Sequence, residues 1–165
     1  MPLLLIDTRQ QKDKHILKDE FFAAKKILTY RTKLVVGDYK WSNGHASVDT
    51  KADIYELASN LQQQHDRFRR ELSLAQDCEI PLTILVENKD GILSLNDFAN
   101  WTEPEMHFNF RRLQHRNAKR VDGAILAKTI ASMQRRYGTR FEFCRPEDAG
   151  RDVLYYLDVM EHGYI

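Results

Sequence analysis

The sequence predicts an α/β sandwich, a mixed sheet with helices on both faces, and three observations predict it. Short apolar runs that close on charged residues alternate with amphipathic segments of helical period. An Asn-Gly hairpin demands an antiparallel pair among strands otherwise joined by crossovers. A chain of 165 residues, 42% hydrophobic and 30% charged, suffices for one core and not for two. The expectation is a single domain over residues 1–165, with 93–121 as a basic insertion.

Taken in order, Leu3 to Ile6 is a continuous apolar run too short for a helix and reads as a buried strand ending near Asp7. From Lys18 to Tyr30, Phe21, Phe22, Ala24, Ile27 and Leu28 recur at helical spacing. Lys33 to Lys51 holds Asn43-Gly44 between alternating residues, the strongest short-range hairpin signal. Asp53 followed by Glu56 forms a capping box that opens a helix through Ile54, Leu57, Ala58 and Leu61, and a second helix runs from Arg67 to Ala75. Pro81 to Val86 is a buried strand ending at Glu87, broken by Lys89-Asp90-Gly91. Asp122 to Tyr137 is helical, Thr139 to Cys144 is a strand, and Pro146 opens the last helix. Residues 93–121, with Trp101 as a packing anchor, fit this scheme only loosely.

Composition narrows the function. The net charge of +1 hides the stretch Arg111 to Arg120, with five cations and no acid, so a phosphate-rich partner stays open. Cys78 and Cys144 lack the spacing of a zinc site or a disulfide framework, which suits a reducing cytoplasm. The opening MPLLLIDTRQ is too short an apolar stretch for an export signal or a membrane span. The last helix, with Leu154, Tyr155, Leu157, Val159 and Met160, has more apolar surface than one core face needs, so a homodimer or other protein partner is expected.

The hairpin carries the chemistry. A turn on Asn43-Gly44 pairs positions summing to 87, so Asp38 faces Asp49. Alternation puts Val35, Tyr39, Trp41, Ala46 and Val48 on one face, and Asp38, Lys40, Ser47, Asp49 and Lys51 on the other. Opposed carboxylates with β-carbons about 5 Å apart repel unless something compensates. A magnesium ion would, since it takes one or two carboxylates plus water and phosphate oxygens. Lys51 points the same way, where its ammonium could hold the attacking water or offset phosphate charge, and Gly37 permits close backbone approach beside Asp38.

Gly37-Asp38, a short hairpin, then Asp49-x-Lys51 at the lip of a helix resembles the metal site of the PD-(D/E)XK nuclease superfamily. More narrowly, IDTRQ, VVGDY, VDTKADIYEL, Arg67-Phe68, Leu85 to Glu87 and RRYGTRFEF resemble, in order and spacing, the XPF-type nuclease domain of DNA repair and recombination enzymes. The resemblance implies a restriction-endonuclease-like α/β/α sandwich and a DNA endonuclease acting on flaps, forks or junctions. It further implies Mg2+ or Mn2+ held by Asp7, Asp38 and Asp49, with Glu87 as a weaker ligand, and Lys51 as the catalytic lysine. Two positions depart from the family: Gln10 stands where it has a carboxylate, and Asp49 where it has a glutamate. These 165 residues hold no helix-hairpin-helix domain of the kind that often follows in cellular members, and small stand-alone versions are typical of phage and mobile elements.

The resemblance also places Arg9 and Arg67 near the substrate, although Arg67, Arg69 and Arg70 read equally as a solvated helix face. Arg111, Arg112, Arg116 and Lys119, preceded by Phe108 and Phe110, could neutralise phosphates and stack bases, or form a plain surface loop. The competing reading of the whole chain is a non-catalytic nucleic-acid-binding partner subunit in which Gln10 marks a decayed site. A restriction-type or RNA-directed enzyme on the same fold is a third.

Overall fold

Leu82–Glu87 (β5), opened by Pro81, is buried along its whole length and forms the spine of the sheet. The computed structural model describes residues 1–162, and within them every side chain but that of Lys12; residues 163–165 of the expected domain lie outside the described residues. Around β5 are β1 (Leu4–Asp7), β2 (Thr29–Thr32), β3 (Tyr39–Trp41), β4 (Ser47–Lys51) and β6 (Arg140–Cys144), in the sheet order β2-β1-β3-β4-β5-β6. β3 is antiparallel to both neighbours and every other pairing is parallel, so the sheet is mixed as expected.

The helices are α1 (Ile16–Ala24), α2 (Ile54–Leu61), α3 (His65–Asp77), α4 (Leu95–Ala99), α5 (Glu105–Gln114), α6 (Gly123–Tyr137) and α7 (Ala149–His162). Alternation along β5 divides the core. Leu82, Ile84 and Val86 pack with residues of α2, α3, α4 and α6, such as Leu57, Phe68, Phe98 and Ile130. Leu85 points the other way, with Leu4, Tyr39 and Val48, onto Phe22 of α1 and Val153 and Leu157 of α7. Each such side chain, fully buried, contributes roughly 1.5–3 kcal/mol. The result is the α/β/α sandwich, and Trp101 packs against the first of these cores.

Three expectations change. The helix expected over Lys18–Tyr30 ends at Ala24, and the chain returns as β2. The helix closes with Ile27 N–H donating to the Phe22 carbonyl across Lys26 at φ 58°, a left-handed cap usually made by glycine, so no local residue marked the stop. The β3–β4 turn is closed by Gly44 N–H on the Trp41 carbonyl at 3.0 Å, so Ser42-Asn43 rather than Asn43-Gly44 occupies its centre. Tyr39 still pairs with Val48, which keeps the sum of 87, and Tyr39, Ala46 and Val48 are buried, but Val35 is 59% exposed. Finally, Leu157 and Val159 of α7 are buried in the molecule itself and Leu154 and Met160 pack against the core. Of the residues from which a dimer was expected, only Tyr155 is largely exposed, so that apolar surface is consumed by the sheet.

Candidate active site

At the carboxyl end of β4 the chain passes through Asp49, Thr50 and Lys51 into the first turn of α2. There it meets the turn after β1 and the bend before β3. Between them lies a cleft of about 290 Å³ lined by Arg9, Gln10, Lys14, His15, Asp38, Asp49, Lys51 and Glu56. Asp38, Asp49 and Lys51 thus meet in one place.

They do not meet by simple cross-strand opposition. Asp38 lies outside β3, and its N–H donates to the Val48 carbonyl at 2.8 Å, one residue off the register of Tyr39 and Val48. Gly37 makes the bend: its φ is +77°, and a β-carbon there would lie 2.3 Å from Ser47 Oγ. The Asp38 carboxylate therefore reaches across to β4, where Oδ2 accepts from both Thr50 N–H and Thr50 Oγ1 at 2.8 Å. Burial and the negative charge of Asp49 nonetheless push the Asp38 carboxyl up to about 7.

Asp49 and Lys51 are 6% and 7% exposed, and Lys51 Nζ lies 2.8 Å from Asp49 Oδ2. That oxygen is fully buried, with the Lys51 ammonium as its charge partner. Burial pulls the Lys51 ammonium down, but Asp49 more than offsets this and holds its pKa above the ordinary value. Its ammonium also sits 5.4 Å from the centre of the Phe68 ring, so α3 packs directly against it.

The two further carboxylates implied by the resemblance stand apart. Asp7 Oδ1 accepts from Arg9 N–H and Nε, and Oδ2 from Arg9 Nη2 and Leu34 N–H, which uses both oxygens. Burial would raise its pKa, yet these bonds hold it below the usual range. Glu87 is joined to the buried ammonium of Lys18, which only partly offsets the upward push of burial. Among the described residues no group of three His, Cys, Asp or Glu is set to hold a metal ion. What fits a divalent cation is the pair Asp38 and Asp49, two repelling carboxylates that line one cleft.

Several cleft residues went unmarked in the sequence. Lys14 and His15 sit in an irregular segment with no periodicity to place them, and burial pulls the His15 imidazole down to about 4, helped by Lys18. Glu56, read only as part of the capping box, fills half of that role, since its carboxylate meets the N–H one residue before the N-cap. It donates its N–H to Asp53 Oδ1 at 2.8 Å and accepts from Ala52 N–H at 2.7 Å, while also lining the cleft. Glu71 on α3 is raised by burial and by Asp49. Its spacing from Arg67, one helical turn, was the one available signal.

The expected nucleic-acid residues divide. Arg9 is tied to Asp7, and Arg111 is bound through Nε and Nη2, both at 2.6 Å, to the fully buried carboxylate of Glu103. Arg67, Arg112, Arg116 and Lys119 are exposed. Arg111, Arg116 and Lys119 line a larger cavity, about 580 Å³, on the far side of the first turn of α2: Tyr55 borders it while Glu56 borders the acidic cleft. The carboxylates Asp38 and Asp49 line the smaller cleft and not this one. His107 contacts Glu103 and the Tyr55 hydroxyl rather than a metal set.

A six-stranded mixed sheet thus lies between helical layers, with Asp38, Asp49 and Lys51 gathered at the carboxyl end of β4. XPF from Aeropyrum pernix shares the fold, with a TM-score of 0.63 at 16% sequence identity, covering 96% of this chain and 64% of that one. XPF from Aeropyrum pernix in complex with DNA gives a TM-score of 0.60 at 15% identity, covering 98% of this chain and again 64% of the other. This chain therefore spans a little under two thirds of either. No protein-family model matches the sequence, and no curated protein is significantly similar to it.

Proposed function

We propose that this domain is a metal-dependent endonuclease that hydrolyses DNA phosphodiesters, with Asp38 and Asp49 as ligands of Mg2+ or Mn2+. The observation that carries the reading is the repulsion of these two carboxylates in one cleft beside Lys51, which a divalent cation would relieve. When bound, such an ion polarises a phosphoryl oxygen and acidifies a coordinated water. Lys51, with its pKa raised, stays protonated and serves as charge and donor to the phosphate or the attacking water, not as a base. Asp7 and Glu87 join the ligand set only if Arg9 and Lys18 release them; otherwise they brace the walls of the cleft. In-line attack would leave a five-prime phosphate. The DNA in the complex of the similar Aeropyrum pernix protein supports DNA as substrate. A preference for flaps, forks or junctions is part of the proposal and rests on the sequence resemblance alone. No helix among the described residues is long and apolar enough to cross a membrane, and a cytoplasmic setting would give access to DNA.

One observation favours the non-catalytic reading. Gln10, 8% exposed, fills the place of the family carboxylate and spends its amide on the Tyr39 hydroxyl at 2.9 Å. A cleavage assay on flap, fork, junction and single-stranded DNA and on RNA, with Mg2+, Mn2+ or EDTA, beside Asp49→Ala, decides between them. We expect metal-dependent nicking of DNA that Asp49→Ala abolishes. DNA binding without cleavage in either metal would establish the partner-subunit reading instead.

A further inference from the structure

α3 has three flanks. Phe68, Leu72 and Ala75 face the core, and Glu71 stands toward the acidic cleft, where it feels Asp49 and Lys51. The third flank leans on α6: Arg69 Nε donates to the Tyr137 hydroxyl at 3.1 Å and Gln76 Nε2 to the Arg136 carbonyl at 3.0 Å. Beside these contacts the two helices leave adjoining hollows of about 380 and 260 Å³ that share Arg69, Arg136 and Tyr137.

Their lining is unbalanced in charge. Arg69, Arg70, Lys128 and Arg136 face a single acid, Asp66. Arg9, Lys18, Lys51, Arg111, Arg140 and Arg151 have carboxylate partners. Among the described residues none of the four groove cations forms an ion pair. Two of them are nevertheless held in place, Arg69 by its bond to Tyr137 and Arg136 by lying 5.5 Å over the same ring. Four cations gathered in a shared concavity with one acid repel one another, and an external anion would relieve that repulsion.

Resting on the nuclease reading for the identity of that anion, we propose that the α3–α6 groove is a second DNA-backbone site. It takes phosphates of the duplex that flanks the phosphodiester in the cleft. A helix is about 10 Å across with its side chains, and duplex DNA carries a charge roughly every 1.7 Å of axis, so one duplex lying over α3 meets both flanks at once. The exposed Arg67 and Arg70 lie between them on the outer surface of α3. The recognition is of phosphate spacing and charge, with no base read.

Fluorescence anisotropy with a labelled DNA duplex in EDTA, over a salt series, tests this. Lys128→Glu/Arg136→Glu reverses two exposed side chains, and Lys128→Gln/Arg136→Gln neutralises them without introducing repulsion; melting temperatures check that both variants fold. The charge reversal should weaken binding about tenfold or more, and both variants should flatten the slope of log K against log salt by about 2, one for each lost phosphate contact. Unchanged affinity and slope in both variants would overturn the groove, even with cleavage lost in Asp49→Ala. A wild type that shows the expected slope difference from its variants but cleaves with neither metal keeps the groove and sinks the endonuclease reading.

Discussion

The proposed function gives Asp38 and Lys51 separable jobs, and single substitutions distinguish them. Asp38→Asn keeps an oxygen to accept from Thr50 but no longer repels Asp49, so the metal-free protein should melt no lower than wild type, while Mg2+ no longer raises its melting temperature and cleavage is lost. Lys51→Ala should retain stabilisation by Mg2+ yet cleave about 100-fold or more slowly, because a transition-state charge partner is gone. Thermal melts with and without Mg2+, run beside the cleavage assay, check both variants; a Lys51→Ala protein that cleaves at the wild-type rate removes Lys51 from the chemistry. Asp38, Asp49 and Lys51 were legible in the sequence because they lie within one short segment anchored by a turn. The engagement of Glu87 was not, since its partner Lys18 is 69 residues away. Nor was the locking of Asp7: Arg9 is only two residues distant, but its direction depends on where Leu34 passes.

The elements show where local sequence speaks and where packing overrides it. The pairing of Tyr39 with Val48 was legible but the turn centre was not, and the bend at Gly37 shifts Asp38 out of the strand that alternation had assigned to it. Gly37→Ala places a β-carbon at a left-handed φ and against Ser47, and should cost about 2 kcal/mol or more, read by urea unfolding. β2 was missed for the opposite reason. Lys26 adopts the cap that glycine favours, so the helical pattern of Phe21, Phe22, Ile27 and Leu28 ran on unpunctuated. Lys26→Gly should therefore stabilise the protein by about 0.5–1 kcal/mol, the balance of relieved backbone strain against added chain entropy. A loss of stability there would mean that the lysine side chain matters more than its φ. Glu79, at φ 55° after α3, repeats the device.

For the molecule as a whole, stability against acid depends on carboxylates far from the chemistry. Burial would raise the pKa of Glu103, but Arg111, His107 and Val121 N–H hold it below its ordinary 4.5. A carboxylate so depressed contributes stability that is present above 4.5 and is lost as pH falls through its folded pKa. Glu103→Gln should flatten the melting temperature against pH below that point and cost about 3 kcal/mol at neutral pH, where Arg111 loses its partner. An acid limb identical to wild type would show that Glu103 is not its source. This brace also explains how residues 93–121, opaque in the sequence, are held: α5 buries none of its residues, and a carboxylate joins it to the chain at Val121. The parallel pairing of β4 and β5 has a last consequence. Lys51 lies level with Val86, so both strands deliver their following segments to the cleft end of the sheet. The longest excursion between sheet strands, from Glu87 to Arg140, departs from that end, and its first half holds the Glu103 brace. Surface at that margin can therefore be lengthened, traded or re-aimed while the strands beneath keep their partners, so on the proposed function this is where a change of substrate preference would arise.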